Sequence, residues 1–134
     1  MIRSRTRQEI EQDWAVVRKL CDFSHRQSSV PDPGVVAEAL PEDAYNLPLV
    51  LAYAALERLL NEMRDQGVFS CTHWQLGSKM AATKTILPWQ DYDLVDEGRE
   101  LRNELTHKAK LHSKDDCLRY IGAIEVELRA WGVI

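Results

Sequence analysis

The sequence has few residues that interrupt helices and few that could cross-link a small fold. Glycine occurs six times and proline five times in 134 residues, and most of them fall between periodic segments. This distribution argues against a turn-rich β fold and favours helices. The cysteines are three, far apart and without a C-x-x-C pair, which argues against a disulfide framework or a zinc site. We therefore expect reduced core thiols at Cys21, Cys71 and Cys117.

Long hydrophobic runs and a strong excess of one charge are also missing. The 17 Lys and Arg residues stand against 21 Asp and Glu, a net charge of −4, so a protein that simply coats nucleic acid is not expected. The longest apolar stretch, 47–56, is well short of the roughly 20 residues that a membrane span needs. The charged N-terminal segment has no signal-peptide core. We expect one cytoplasmic domain over 1–134, with no membrane partner.

Hydrophobic periodicity predicts an all-α bundle of five helices, one of them short. The predicted helices cover about 6–25, 46–67, a short segment after 72 that ends before Pro88, about 91–111, and a last helix that ends before Gly132. Hydroxyl residues followed three positions later by Glu, Gln or Asp predict helix starts at Thr6, Thr72 and Ser113. The segment 27–43 reads as a long loop with at most one helical turn at 35–40, and it could form a lid or a partner contact.

The fourth predicted helix carries a polar set that we expect to point away from the core. At about 100° per residue, its apolar residues fall on one arc; these are Leu94, Gly98, Leu101, Leu105 and Ala109. Arg102 lies at the edge of this arc, and Asn103 and His107 lie one turn apart on the far side. An ordinary solvated helix face, with a Glu104–Lys108 ion pair, would account for the same pattern.

The segment 101–107, Leu-Arg-Asn-Glu-Leu-Thr-His, resembles the R-x4-6-H signature of the HEPN superfamily, in the form where a polar residue follows the Arg. HEPN proteins are small helical bundles that dimerise, and many are metal-independent ribonucleases that act as toxins or in defence against phage. An apolar helix before the motif and a closing helix after it extend the resemblance over 46–131. The second match to the bare pattern, Arg18 to His25, lies in the first helix, where the family does not place its motif.

The resemblance implies a two-fold homodimer that cleaves RNA at a composite interface site, without metal or cofactor. His107 would act as general acid or base, because a histidine titrates near neutrality. Arg102 would stabilise the phosphate. Asn103 would orient Arg102 or His107, or bind phosphate itself. An isologous interface would present the same three residues twice around one phosphate.

The surroundings of the motif support this interpretation in part. They form a local basic patch, made of Arg99, Arg102, Lys108, Lys110 and Lys114 with His107 and His112 nearby. Cations that favour a helix C-terminus would explain the three lysines equally well. The tryptophans Trp74, Trp89 and Trp131 are expected in the core rather than as base-stacking platforms. Glu57 is either a supporting carboxylate or, more simply, a charge at the rim of the central helix.

A catalytically silent HEPN-like module remains the alternative. Such a module would be an interaction partner of a nucleotidyltransferase, or a regulator similar to the mannitol-operon repressors. The acidic overall charge favours this alternative, whereas the intact Arg-Asn-x-x-x-His favours an enzyme with an antitoxin partner. Ala109 stands where the subgroup paired with nucleotidyltransferase antitoxins carries a tyrosine, so modification at that position is not implied.

Overall fold

The chain forms an all-helical bundle in the computed structural model, which describes residues 2–29 and 42–134. The helices are α1 (Ser4–Ser29), α2 (Asn46–Asp65), α3 (Leu76–Thr83), α4 (Tyr92–Lys108) and α5 (Lys114–Ala130), and a 3-10 turn over Glu42–Tyr45 precedes α2. The predicted all-α class and five helices, one of them short, are confirmed for this part of the chain. The helical turn expected at 35–40 lies outside the described residues. Among the helices described, none has the length and apolar character to cross a bilayer.

The central helix is α2, which contacts each of the other four helices. Its first half is almost wholly apolar, so it can be buried on several sides at once. The buried residues of α2 are Asn46, Pro48, Leu49, Ala52, Tyr53, Ala55, Leu56, Leu59, Leu60 and Met63. α2 therefore forms the buried centre of the bundle.

Two predicted helix starts are wrong. α1 begins at Ser4, so Thr6 lies inside its first turn, where its side chain is buried rather than capping. Thr72 is exposed and lies four residues before the start of α3 at Leu76. In both cases the burial of a side chain determines where the helix begins. Thr6 is buried within α1, and α3 begins at Leu76, whose side chain is buried in the core. α1 also continues past the predicted His25 to Ser29, since no glycine or proline precedes Pro31 to stop it.

Two caps on the last helices agree with the predicted boundaries. The Ser113 hydroxyl accepts a hydrogen bond from the backbone N–H of Asp116 at 3.2 Å and begins α5 as predicted. The Asp91 carboxylate accepts one from Leu94 at 3.2 Å and begins α4. α4 ends at Lys108 rather than at 111, because Ala109 adopts a left-handed conformation with φ +52°.

The start of α4 is held by a buried carboxylate on α5. Glu127, 1% exposed, accepts hydrogen bonds from the backbone N–H groups of Gln90 (2.5 Å) and Asp91 (2.9 Å). These N–H groups lie at the positive end of the helix dipole, where a negative charge is stabilising. Glu127 therefore fixes the position of the first turn of α4 against α5.

The face of α4 that meets the bundle differs from the predicted one. Val95 and Gly98 are buried, whereas Leu94, Leu101 and Leu105 are half-buried and Ala109 is exposed. The cause is close packing at Gly98: a Cβ built there would lie 2.1 Å from the Tyr53 hydroxyl oxygen and 2.6 Å from the Tyr120 ring. The Tyr53 hydroxyl donates to the Val95 carbonyl at 2.7 Å. Residues 95, 98 and 102 share one helix face. Because Val95 and Gly98 face the bundle, position 102 faces it as well.

The C-terminal end of α4 is tied to the bundle through His112. The Asn46 side chain donates to the His112 carbonyl (2.9 Å) and accepts from the His112 backbone N–H (3.0 Å). The His112 ring nitrogen Nε2 lies 2.8 Å from the Leu101 carbonyl oxygen. His112 is buried, so its expected place near an exposed basic patch is wrong, and its role is to anchor this end of α4.

The three cysteines are free thiols in different environments. Cys21 and Cys117 are buried, as predicted, whereas Cys71 is half-exposed. Burial raises the pKa of the Cys117 thiol to about 11 and raises that of Cys21 as well. The prediction of core thiols is thus confirmed for two cysteines and wrong for Cys71, which lies in the segment between α2 and α3.

Candidate functional site

A cavity of about 350 Å³ opens between α4 and the start of α3, with one wall from α2. All three predicted site residues, Arg102, Asn103 and His107, line it. The other lining residues are Glu57, Trp74, Gln75, Leu76, Gly77 and Arg99. The structure therefore brings the three predicted residues together in one concave site within a single chain.

Arg102 does not point away from the domain, as the sequence predicts, but lies against it. Its guanidinium carbon is 5.9 Å from the centroid of the Tyr53 ring, and its Nε atom is buried without a hydrogen-bond partner among the described residues. Burial raises the pKa of Tyr53, so the hydroxyl beside Arg102 stays neutral. Within the described chain, no carboxylate forms an ion pair with Arg102, so its positive charge is not neutralised there.

Asn103 and His107 lie at the rim of this cavity. They also line a shallower groove on the outer face of α4, together with Arg99, Glu100, Glu104 and Lys108. His107, in the last turn of α4, is exposed and Asn103 is half-buried. In the part of the chain that the structure describes, neither side chain makes a hydrogen bond. Both groups are therefore available to a ligand in the cavity and to a molecule on the outer face.

A second guanidinium enters the cavity through Arg99. Its Nε donates to Asp96 Oδ1 at 2.8 Å, which holds the side chain along α4. Gly77 lies opposite, and a Cβ built there would come within 2.9 Å of the Arg99 guanidinium carbon. The Arg99 guanidinium therefore packs closely against the start of α3 at Gly77. The sequence predicts Arg99 only as part of the basic patch. Its position in the cavity lining depends on its packing against Gly77.

Glu57 contributes a carboxylate whose charge is compensated. Its Oε1 lies 3.3 Å from Nζ of Lys79, a residue of α3 that is 1% exposed. A buried ammonium needs such a partner. Glu57 is half-buried, which agrees with the rim position predicted for it. Lys79 is absent from the sequence prediction because nothing in the sequence connects it to a carboxylate 22 positions away.

Trp74 lies at the mouth of the cavity and is 75% exposed. The prediction that it belongs to the core is wrong, because α3 begins after Trp74 and leaves it in an irregular segment. The guanidinium carbon of Arg64 lies 4.4 Å from the centroid of its ring. Trp89 and Trp131, in contrast, are half-buried and pack edge to face with centroids 4.8 Å apart, in agreement with their predicted packing role.

Two other cations of the predicted basic patch, Lys110 and Lys114, lie outside the cavity lining. Lys110 pairs with Glu104 at 3.2 Å, in place of the predicted Glu104–Lys108 pair, because the left-handed turn at Ala109 directs the chain back toward Glu104. Lys114 lies over the Tyr45 ring, 5.3 Å from its centroid. Two arginines thus line the cavity: Arg99, whose charge is partly compensated by Asp96 and Glu100, and Arg102, which has no ion pair among the described residues.

The residues described contain no group of three or more His, Cys, Asp or Glu side chains placed to hold a metal ion. Comparisons with protein-family models, with curated proteins and with solved structures gave no significant match to the chain. The HEPN assignment therefore stays a prediction that depends on the segment 101–107 and on the order of the helices around it.

Proposed function

We propose that the chain is a HEPN-like, metal-independent endoribonuclease whose site is the cavity lined by Arg102, Asn103 and His107. The observation that carries the proposal is the combination in one cavity of an arginine without an ion pair and an imidazole without a hydrogen-bond partner, within the described residues. A phosphodiester supplies the anion that such an arginine binds best. Cleavage of a phosphodiester also requires proton transfers, which a histidine side chain can perform near neutral pH.

The proposed reaction begins with the 2′-hydroxyl of the RNA. A base removes the 2′-hydroxyl proton while the 2′-oxygen forms a bond to phosphorus. The bond from phosphorus to the 5′-oxygen breaks, and an acid donates a proton to that oxygen. The products are a 2′,3′-cyclic phosphate and a 5′-hydroxyl. His107 takes one of these proton roles, and Arg102 and Arg99 stabilise the negative charge of the phosphorane.

A homodimer would supply the second proton-transfer group. The proposal places the partner's His107 near the same phosphate, across a two-fold interface formed by the outer face of α4. The rim position of His107, between the cavity and the outer groove, supports this arrangement. A variant forced to be monomeric should then lose cleavage, and full activity in a monomer would contradict the composite site.

The proposed biological setting, a cytoplasmic toxin or defence nuclease held in check by an antitoxin, follows from the family resemblance. Expression of the chain alone should then arrest growth. His107→Ala should relieve the arrest at equal protein levels. Normal growth with folded wild-type protein would instead favour the silent interaction module.

The proposed activity is tested by the cleavage of a labelled single-stranded RNA in EDTA. We expect His107→Ala to lower the rate at least about 100-fold, the usual contribution of a general acid or base. Arg102→Ala should lower it by a similar factor, the usual contribution of one group that stabilises charge in the transition state. The controls His73→Ala and Arg119→Ala remove the same side chains at exposed positions outside the cavity lining and should cleave like the wild type. Equal loss in the controls, or no loss in the His107 and Arg102 variants, would contradict the proposed site.

A further inference from the structure

Trp74 is the most exposed of the large hydrophobic side chains in the described residues, at 75% of its surface. An exposed indole brings a large area of apolar surface into water, and aromatic side chains in such positions often bind other molecules. Its neighbours in the cavity are Gln75, which precedes α3, Leu76 and Gly77 in the first turn of α3, and the guanidinium groups of Arg99 and Arg102 on α4. An aromatic surface therefore lies next to a cationic one.

The indole ring is supported from the side of α2. The Arg64 guanidinium lies over the ring with its central carbon 4.4 Å from the ring centroid, and Nζ of the buried Lys79 is 5.8 Å away. Cation–π contacts at exposed positions modestly stabilise the ring in this orientation. The high exposure of Trp74 shows that much of the ring stays open beyond these contacts.

We propose that Trp74 is a base-stacking platform that makes the cavity a nucleotide subsite for single-stranded RNA. This inference depends on the proposed ribonuclease function and adds the substrate class to it. A nucleotide joins a flat aromatic base to a phosphate, which matches the indole and the two guanidinium groups. Every base offers a face for stacking, so the subsite has little sequence preference. The base must be unpaired and unstacked to reach the indole, so duplex RNA is excluded.

The test measures binding separately from cleavage, with a short 2′-O-methyl RNA strand that has no 2′-hydroxyl nucleophile. We expect the wild type to bind the single strand and to bind its duplex weakly. Trp74→Leu should weaken single-strand binding about 5- to 140-fold, the range for loss of one stacked base. Trp74→Phe, which keeps an aromatic face, should retain most of the binding. Val126→Ala, at another exposed apolar position outside the cavity, should bind like the wild type.

The outcomes separate this proposal from the ribonuclease itself. Trp74-dependent binding without any RNA cleavage would support the stacking platform and contradict the proposed enzyme. Cleavage of RNA with equal strand binding by Trp74→Leu and the wild type would contradict the platform and leave the enzyme standing. Absence of strand binding, or equal binding of strand and duplex, would also overturn the platform, and the exposed indole would then fit a protein partner better.

Discussion

Gly77→Ala should separate the stability of the fold from the activity of the site. A Cβ at position 77 would lie 2.9 Å from the Arg99 guanidinium carbon and 3.1 Å from Nε and Nη1. Because ordinary carbon contacts begin near 3.4 Å, the guanidinium must move away by about 0.5 Å or more. The atoms that must move belong to the end of a flexible side chain, so the backbone of α3 and α4 can stay in place.

The two effects of this substitution have opposite signs. Alanine is favoured over glycine in a helix by up to about 1 kcal/mol, so the free energy of unfolding should stay equal or rise slightly. Displacement of a catalytic-site group by about 1 Å can cost about 100-fold in rate. For the smaller shift of Arg99 we expect RNA cleavage to fall about 10-fold.

Urea unfolding and the cleavage rate, measured on the same preparations, test this expectation. Gly122→Ala is the matched control, because it makes the same substitution within α5 where nothing lies within 4 Å of the new Cβ. The control should be at least as stable as the wild type and equally active. If Gly77→Ala cleaved RNA as fast as Gly122→Ala, the role given to the position of Arg99 would be refuted.

Two further predictions concern the packing that positions α4. Gly98→Ala should lower the free energy of unfolding by about 2–4 kcal/mol, because the new Cβ overlaps Tyr53 and the Tyr53–Val95 hydrogen bond must break; a urea midpoint equal to that of Gly122→Ala would contradict this. Glu127→Gln should cost about 1–3 kcal/mol by the same assay, because a neutral amide replaces the charged acceptor at the start of α4. An unchanged midpoint for Glu127→Gln would show that these hydrogen bonds contribute little.

The sequence predicts the helices well because hydrophobic periodicity and local caps are local properties. Ser113 begins α5 as its sequence pattern indicates, and the long apolar run of α2 indicates its central place. Thr6 and Thr72 match a capping pattern equally well, but burial of neighbouring core residues decides where α1 and α3 begin. Caps contribute only about 1 kcal/mol, so tertiary packing can override them.

Three residues of the candidate site are predictable from the sequence, but the shape of the site is not. Arg102, Asn103 and His107 follow from one helical segment, and the structure places all three in one cavity. The inward turn of Arg102 depends on Tyr53 packing against Gly98, a contact between residues 45 positions apart. Trp74 reaches the mouth of the cavity because α3 starts later than its sequence pattern indicates. Contacts of this kind depend on the assembled bundle and have no local signal.

The most direct test of the central claim is the chemistry of the RNA ends that the purified protein leaves in EDTA. The proposed mechanism predicts 2′,3′-cyclic phosphate and 5′-hydroxyl ends from the wild type, with no such ends from His107→Ala. It also predicts no cut at a single 2′-O-methyl nucleotide placed within an otherwise normal strand, because that position has no free 2′-hydroxyl. Ends with 3′-hydroxyl and 5′-phosphate groups, or equal cleavage by His107→Ala, would contradict the account.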